Sequence, residues 1–225
     1  MLKSGLEPTS SDCSTMTTRT IPKGAASLTN MSLAGIRIAI IAVNTALASA
    51  AGALTSLFYE WQRHRRPDIA MTANGLLGGL VAITAPCAFV SPPSAVLIGV
   101  TAGLVVPLSV EVLERKYRID DPVGAISVHG ACGLWGSIAL GLLADGTYGE
   151  GWNGVSGPVR GLLYGDASQL AAQIAGAAAN LVFVFSLAHA FFRLSDRFIG
   201  IRVSAEVEWS GLDGMEMGSE AYSHD

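Results

Sequence analysis

Four stretches of this sequence run for more than twenty residues without a formal charge: Ile38–Tyr59, Ile69–Val110, Pro122–Ala144 and Ala167–Phe192. A helix rises about 1.5 Å per residue, so about 20 apolar residues cross the roughly 30 Å of a bilayer's hydrocarbon. The second stretch holds 42 residues, too many for one crossing, and Pro92-Pro93 sits near its middle. Consecutive prolines remove two backbone donors and stop a helix. That stretch therefore reads as two spans joined by a tight turn, Ser91-Pro92-Pro93-Ser94. The expectation is an all-α polytopic membrane helix bundle over 34–200, with about five spans at 36–59, 69–90, 93–113, 122–144 and 167–192. Charged residues make up only 14% of the chain, against about 25% in soluble domains, so most of it faces the lipid bilayer or other helices. The net charge of −4 leaves no basic face for nucleic acid.

The loops carry the orientation. Arg63, Arg65, Arg66, Arg115, Lys116, Arg118, Arg193, Arg197 and Arg202 all fall at one side of the predicted bundle. The short loops opposite carry only Arg160. By the positive-inside bias, the N-terminus lies outside the cell membrane and the C-terminus in the cytoplasm. Residues 1–33 read as a polar, unstructured segment without the apolar core of a secretory signal. Glu7 and Asp12 argue against a transit peptide. Asp145–Asp166 reads as a polar loop with seven glycines, Trp152 and Asn153. Residues 201–225 form a polar tail. Cys13, Cys87 and Cys132 are too scattered for a disulfide framework or a zinc site and read as reduced thiols.

Small residues recur four apart, Gly75 with Gly79 and Gly99 with Gly103, and permit close helix crossings. Pro86 and Pro107 lie within the predicted second and third spans, where either can kink a helix. Asn44 and Asn74 read as interhelical hydrogen-bonding groups. Asp120, Asp121 and Pro122 read as a cap for the fourth span, because proline suits a first helical turn and acidic groups suit a positive helix N-terminus.

His129, about eight residues into the fourth predicted span, is the most informative position. An ionisable group at membrane depth is costly and faces a cavity or a polar partner. Neutral imidazole carries one donor and one acceptor, so it can pass a proton or hold a small ligand without a permanent charge. Gly130, Gly133 and Gly136 leave a bare stripe for a neighbouring helix or a narrow lumen. The competing reading is a histidine bonded to a neighbouring helix for packing. His189, near the inner end of the fifth span, reads as a side chain reaching for the interface. There is no nucleophile elbow, phosphate loop, paired metal ligands or intramembrane carboxylate pair, so the sequence offers no basis for an enzyme, a metal or a cofactor.

The segment Ile119-Asp120-Asp121-Pro122-Val123-Gly124-Ala125-Ile126-Ser127-Val128-His129-Gly130-Ala131-Cys132-Gly133-Leu134-Trp135-Gly136 resembles the tenth-helix signature of the ammonium transporter (Amt/Mep/Rh) family. Ala42-Val43-Asn44-Thr45 with Ala50-Ala51-Gly52-Ala53-Leu54 resembles the seventh helix, and Gly75–Ala85 the eighth. Ser91-Pro92 and Gly99 resemble the ninth. Arg202-Val203-Ser204 through Gly211-Leu212-Asp213 to Glu220-Ala221-Tyr222 is similar to the family's cytoplasmic tail. The resemblance runs from about Ala34 to Asp225.

It implies helices seven to eleven of an eleven-helix fold built on an inverted repeat. It also implies a trimer with a pore in each subunit, and ammonium as substrate. Ammonium would be deprotonated at an outer vestibule, and ammonia and proton would cross along two facing histidines. His129 matches the second of these, with Ile126 and Val128 as pore wall. The tail residues Gly211, Leu212 and Asp213 imply regulation, with a PII-type signalling protein as a partner. Helices one to six have no counterpart here, and with them go the first pore histidine, the phenylalanine gate and the outer ammonium site. The expectation is a pore incomplete without those helices. Three explanations stand: a truncated or misannotated piece of a full transporter, one part of a split transporter completed by another chain, or a non-conducting relative; the assembly implied is a homotrimer or a mixed trimer with full-length transporters. Gly124 stands where some members carry an acidic residue, and Met217 where a histidine is frequent.

Overall fold

The computed structural model describes residues 23–150 and 157–218. Cys13, Trp152, Asn153 and Glu220-Ala221-Tyr222 lie outside the described residues. Among these residues six α-helices appear in the order α1 Lys23–His64, α2 Ile69–Thr84, α3 Pro92–Val112, α4 Cys132–Leu143, α5 Ala167–Phe198 and α6 Ala205–Ser210. A π-helical turn, Leu113–Tyr117, extends α3, and a second, Ile126–Ala131, leads into α4. Among the described residues, four segments are long and apolar enough to cross a membrane: Ile36–His64, Pro92–Tyr117, Ile126–Leu143 and Ala167–Phe198. The apolar α2, 16 residues long, is the fifth and shorter member.

Several boundaries differ from the sequence reading, each for a local reason. α1 already begins at Lys23, inside the segment read as unstructured. No proline stands between Lys23 and Ala34 to stop the helix. α2 ends at Thr84 rather than reaching residue 90, because Pro86 follows and cannot continue it. Pro86 is therefore beyond the helix, whereas Pro107 is inside α3 and buried. The reversal runs through Ala85–Val90, and Pro92 and Pro93 occupy the first turn of α3 behind the N-cap Ser91. Proline suits that place, since the first turn's amides have no helical partner.

Irregular backbone at membrane depth persists only where protein supplies its partners. Asn44 of α1 does so: its Nδ2 donates to the Cys87 and Val90 carbonyls, each at 2.8 Å. The loop Asp145–Asp166 contains an antiparallel ribbon, β1 Asp145–Glu150 with β2 Pro158–Arg160. The chain is thus all-α only within its spans. There the backbone amides of each strand donate to carbonyls of the other, and Arg160 packs over Gly146.

α1, α2 and α3 meet along small residues. A methyl group at Gly79 or Gly99 would overlap the Ala48 carbonyl, and one at Gly103 would overlap that of Gly52. The paired glycines of α2 and α3 therefore clasp a third pair, Ala48 and Gly52, on α1. The core is filled by Ile83, Ile98, Val106, Val128 and Cys132. Cys87 and Cys132 are free thiols.

The bundle has two distinct ends. At one, the Glu111 carboxylate of α3 accepts from Arg63 at 3.2 Å and Arg115 at 2.6 Å. At the other, the Asp145 amide donates to the Phe89 carbonyl at 3.0 Å, joining the ribbon to the α2–α3 reversal. α5 is 32 residues long with no buried residue. It would extend about 48 Å, and Leu170, near its start, rests on Gly141 of α4.

Candidate functional site

The helix that carries His129 begins later than expected. Gly124, at φ +68°, ends a turn whose amide donates to the Asp121 carbonyl at 2.9 Å. Helical geometry follows only from Ala125. His129 therefore stands four residues into its span, about 6 Å from the start by helix rise, rather than eight residues in. The turn is π-helical over Ile126–Ala131, a wide turn found often at functional positions.

Asp121 holds this turn. It is only 4% exposed. Its Oδ1 accepts from the Ile126 amide at 3.1 Å, and its Oδ2 accepts from the Ser127 amide at 3.1 Å and the Ser127 hydroxyl at 3.0 Å. Three donors offset the cost of burying the carboxylate. Asp120 and Pro122 do not share this role. Both are exposed, and Pro122 lies in the turn ahead of the helix rather than at its first position.

The wide turn divides its side chains between two faces. Ser127 and Val128 point into the protein, Val128 being 2% exposed within the core cluster. Val128 therefore packs in the core, whereas its neighbour His129 is exposed. Ile126, His129 and Gly130 are exposed together. Ile126 is 46% exposed, and the His129 ring makes no hydrogen bond among the described residues. The bare glycine stripe also splits. A methyl group at Gly136 would overlap the Ala82 carbonyl of α2, so that glycine serves helix packing. Gly130 and Gly133 would meet only the Ile126 and Val81 side chains, at 3.8 and 3.9 Å. The result is an apolar face of Ile126, Gly130 and Gly133 with a single imidazole in it.

The remaining predicted residues lie elsewhere. His189 is exposed on α5, stacked on Phe185 with centroids 6.1 Å apart. Gly211, Leu212 and Asp213 are exposed in the tail after α6, where Asp213 opens a π-helical turn, Asp213–Met217. Arg202 braces α6 by a two-pronged contact to Glu208, at 2.6 and 3.1 Å. The hydrogen bond from that guanidinium holds the Glu208 carboxyl below its usual range.

The sequence reading missed a polar node at the Glu111 end. Glu60, 6% exposed, lies 2.6 Å from the His64 Nδ1. Beside it Tyr59 donates to Glu111 at 3.4 Å. A cleft of about 900 Å³ opens between these groups, Arg66 and Met71. The i, i+4 spacing of Glu60 and His64 was the available signal.

A model of the family described as Ammonium Transporter Family matches residues 24–222. The chain is 48% identical over 187 residues to the ammonium transporter Amt2 of Archaeoglobus fulgidus, covering 83% of this chain and 40% of that protein. Among solved structures, it is similar to Saccharomyces cerevisiae Mep2, with TM-score 0.67 and 30% identity, covering 76% of this chain and 38% of that one. It is likewise similar to a structure described as a Sensor Amt Protein, with TM-score 0.68 and 30% identity, covering 80% and 42%. The chain thus spans about 40% of the length of that relative. With its multi-pass helical fold, the chain belongs to the ammonium transporter family.

Proposed function

We propose that this chain supplies one wall of an ammonia path, with His129 as the pore histidine, and that helices from outside this chain supply the facing wall. One observation carries the reading: His129 stands alone in an apolar face, Ile126–Gly130–Gly133, on a span whose other side is sealed into the core. Such a face is a liability in isolation and makes sense where another wall closes over it. Desolvating an ammonium ion is expensive, whereas neutral ammonia crosses an apolar lumen at little cost. An imidazole there can take the proton that ammonium sheds and hand it on, because its two nitrogens exchange donor and acceptor roles. Ile126 and Gly130 then shape the path, and Val128 contributes only packing.

The same reading places the protein in the cell membrane with its N-terminus outside and its basic ends and tail in the cytoplasm. It works as part of a trimer, with the tail around Gly211, Leu212 and Asp213 available to a PII-type signalling protein. A second reading, a non-conducting subunit that presents its tail, is favoured by one feature. Those three tail residues are all exposed.

The test is methylammonium uptake in transporter-null cells that express this chain with a complementing N-terminal half. Uptake should appear and fall at least tenfold in His129→Ala. Absence of uptake with the complementing half present, while the chain still purifies with a full-length transporter, would instead support the non-conducting subunit.

A further inference from the structure

We infer that Asn74 of α2 is a positioning residue for His129, acting through the Val123-Gly124 peptide. This inference rests on the pore reading above. The segment Arg118–Ala125 crosses the end of the bundle exposed at most positions, with Val123 71% exposed. Two side chains hold it, and they do different things. Asp121 belongs to the segment and fixes its internal shape. Asn74 comes from another helix, 49 residues away, and its Nδ2 donates to the Val123 carbonyl at 3.2 Å.

The amide of Asn74 has a seat shaped for it. A Cβ on Gly124 would fall 2.8 Å from Asn74 Nδ2 and 3.4 Å from its Cγ. Only glycine leaves this space, and only glycine adopts φ +68° at low cost. The bonded peptide is also the one from which the histidine turn springs. Val123 gives its carbonyl to Asn74, and the next carbonyl, that of Gly124, receives the Val128 amide at 2.7 Å. His129 is the following residue. Asn74 thus ties the root of the π-helical turn to α2, and so fixes where the imidazole stands against the rest of the bundle. Asp121 alone would leave the turn intact but free to rock.

The experiment uses the full chain. Asn74→Asp keeps the shape and removes the donor; Gly124→Ala keeps the donor and fills its seat. In nanodiscs, each should speed amide hydrogen exchange over 126–129 by about fivefold, the worth of one neutral hydrogen bond, with α1 and α3 unchanged. The two together should add little to either alone. Unchanged exchange over 126–129 overturns the inference, and so does exchange raised equally throughout the bundle. In cells with the complementing half, Asn74→Asp should lower maximal uptake per inserted protein several-fold and leave the half-saturating concentration unchanged. In a His129→Ala background it should lower residual uptake no further. A further fall there overturns the positioning role. If His129→Ala transports as well as the parent, the pore reading fails by itself, and exchange over 126–129 still decides the tether.

Discussion

Two glycine-to-alanine substitutions that look alike in the sequence should behave in opposite ways. Gly99 is buried, and a Cβ built on it falls 2.7 Å from the Ala48 Cα and 2.8 Å from its carbonyl carbon, closer still to the carbonyl oxygen. Ordinary carbon contacts begin near 3.5 Å, so α3 must retreat from α1 by several tenths of an ångström or more. The obstacle is backbone, which has no rotamer to change, and the same retreat disturbs the neighbouring clasp of Gly103 on Gly52. Overpacking costs about 1–3 kcal/mol, and against backbone that cannot change rotamer the upper part of that range applies, about 2–3 kcal/mol, partly offset by the roughly 1 kcal/mol helix preference of alanine over glycine. Gly99→Ala should therefore lose about 1–2 kcal/mol. Gly130→Ala has no such obstacle, since its Cβ would meet only the Ile126 Cγ2 at 3.8 Å. It should be neutral or gain up to about 1 kcal/mol. Steric-trap or mixed-micelle unfolding of the purified chain measures both. A Gly99→Ala variant as stable as the parent would refute the clasp, and a Gly130→Ala variant as unstable as Gly99→Ala would refute the open face.

Asn44→Leu should cost about 2–4 kcal/mol in the same assay, because the Cys87 and Val90 carbonyls lose their donor where water is scarce; a loss below 1 kcal/mol would mean the α2–α3 reversal holds by packing alone. The tail should respond to acid with a definite sign. The guanidinium of Arg202 depresses the Glu208 carboxyl in the folded state, so its contribution is present above the ordinary glutamate value of 4.5 and is lost as pH falls below it. NMR titration of the Glu208 carboxyl should show a midpoint below 4.5 that rises in Arg202→Ala; an unmoved midpoint removes the brace.

Much of the architecture was legible because the rules are local. A charged group or an unpaired peptide is costly in hydrocarbon wherever it sits in the chain, so uncharged length alone marks a span. The glycine pairs announced close crossings for the same reason: absence of a side chain is visible in the sequence. What they would close upon, Ala48 and Gly52, was not. The shortness of α2 was half-legible, since Pro86 was noted but a buried reversal needs the partner that Asn44 supplies from another helix.

The site divides in the same way. That an imidazole stands in an apolar helix can be read directly, and so can the acidic residues before it. Which way each neighbour points cannot. Val128 and His129 are adjacent in the chain, yet one is sealed in the core and the other exposed, and Gly136 and Gly130 share a stripe only on an ideal helix. The wide turn at Ile126–Ala131, the buried Asp121 that shapes it and the Asn74 amide from α2 set those directions. Facing is a property of the neighbours a residue meets, and those neighbours are brought together only by the packed fold.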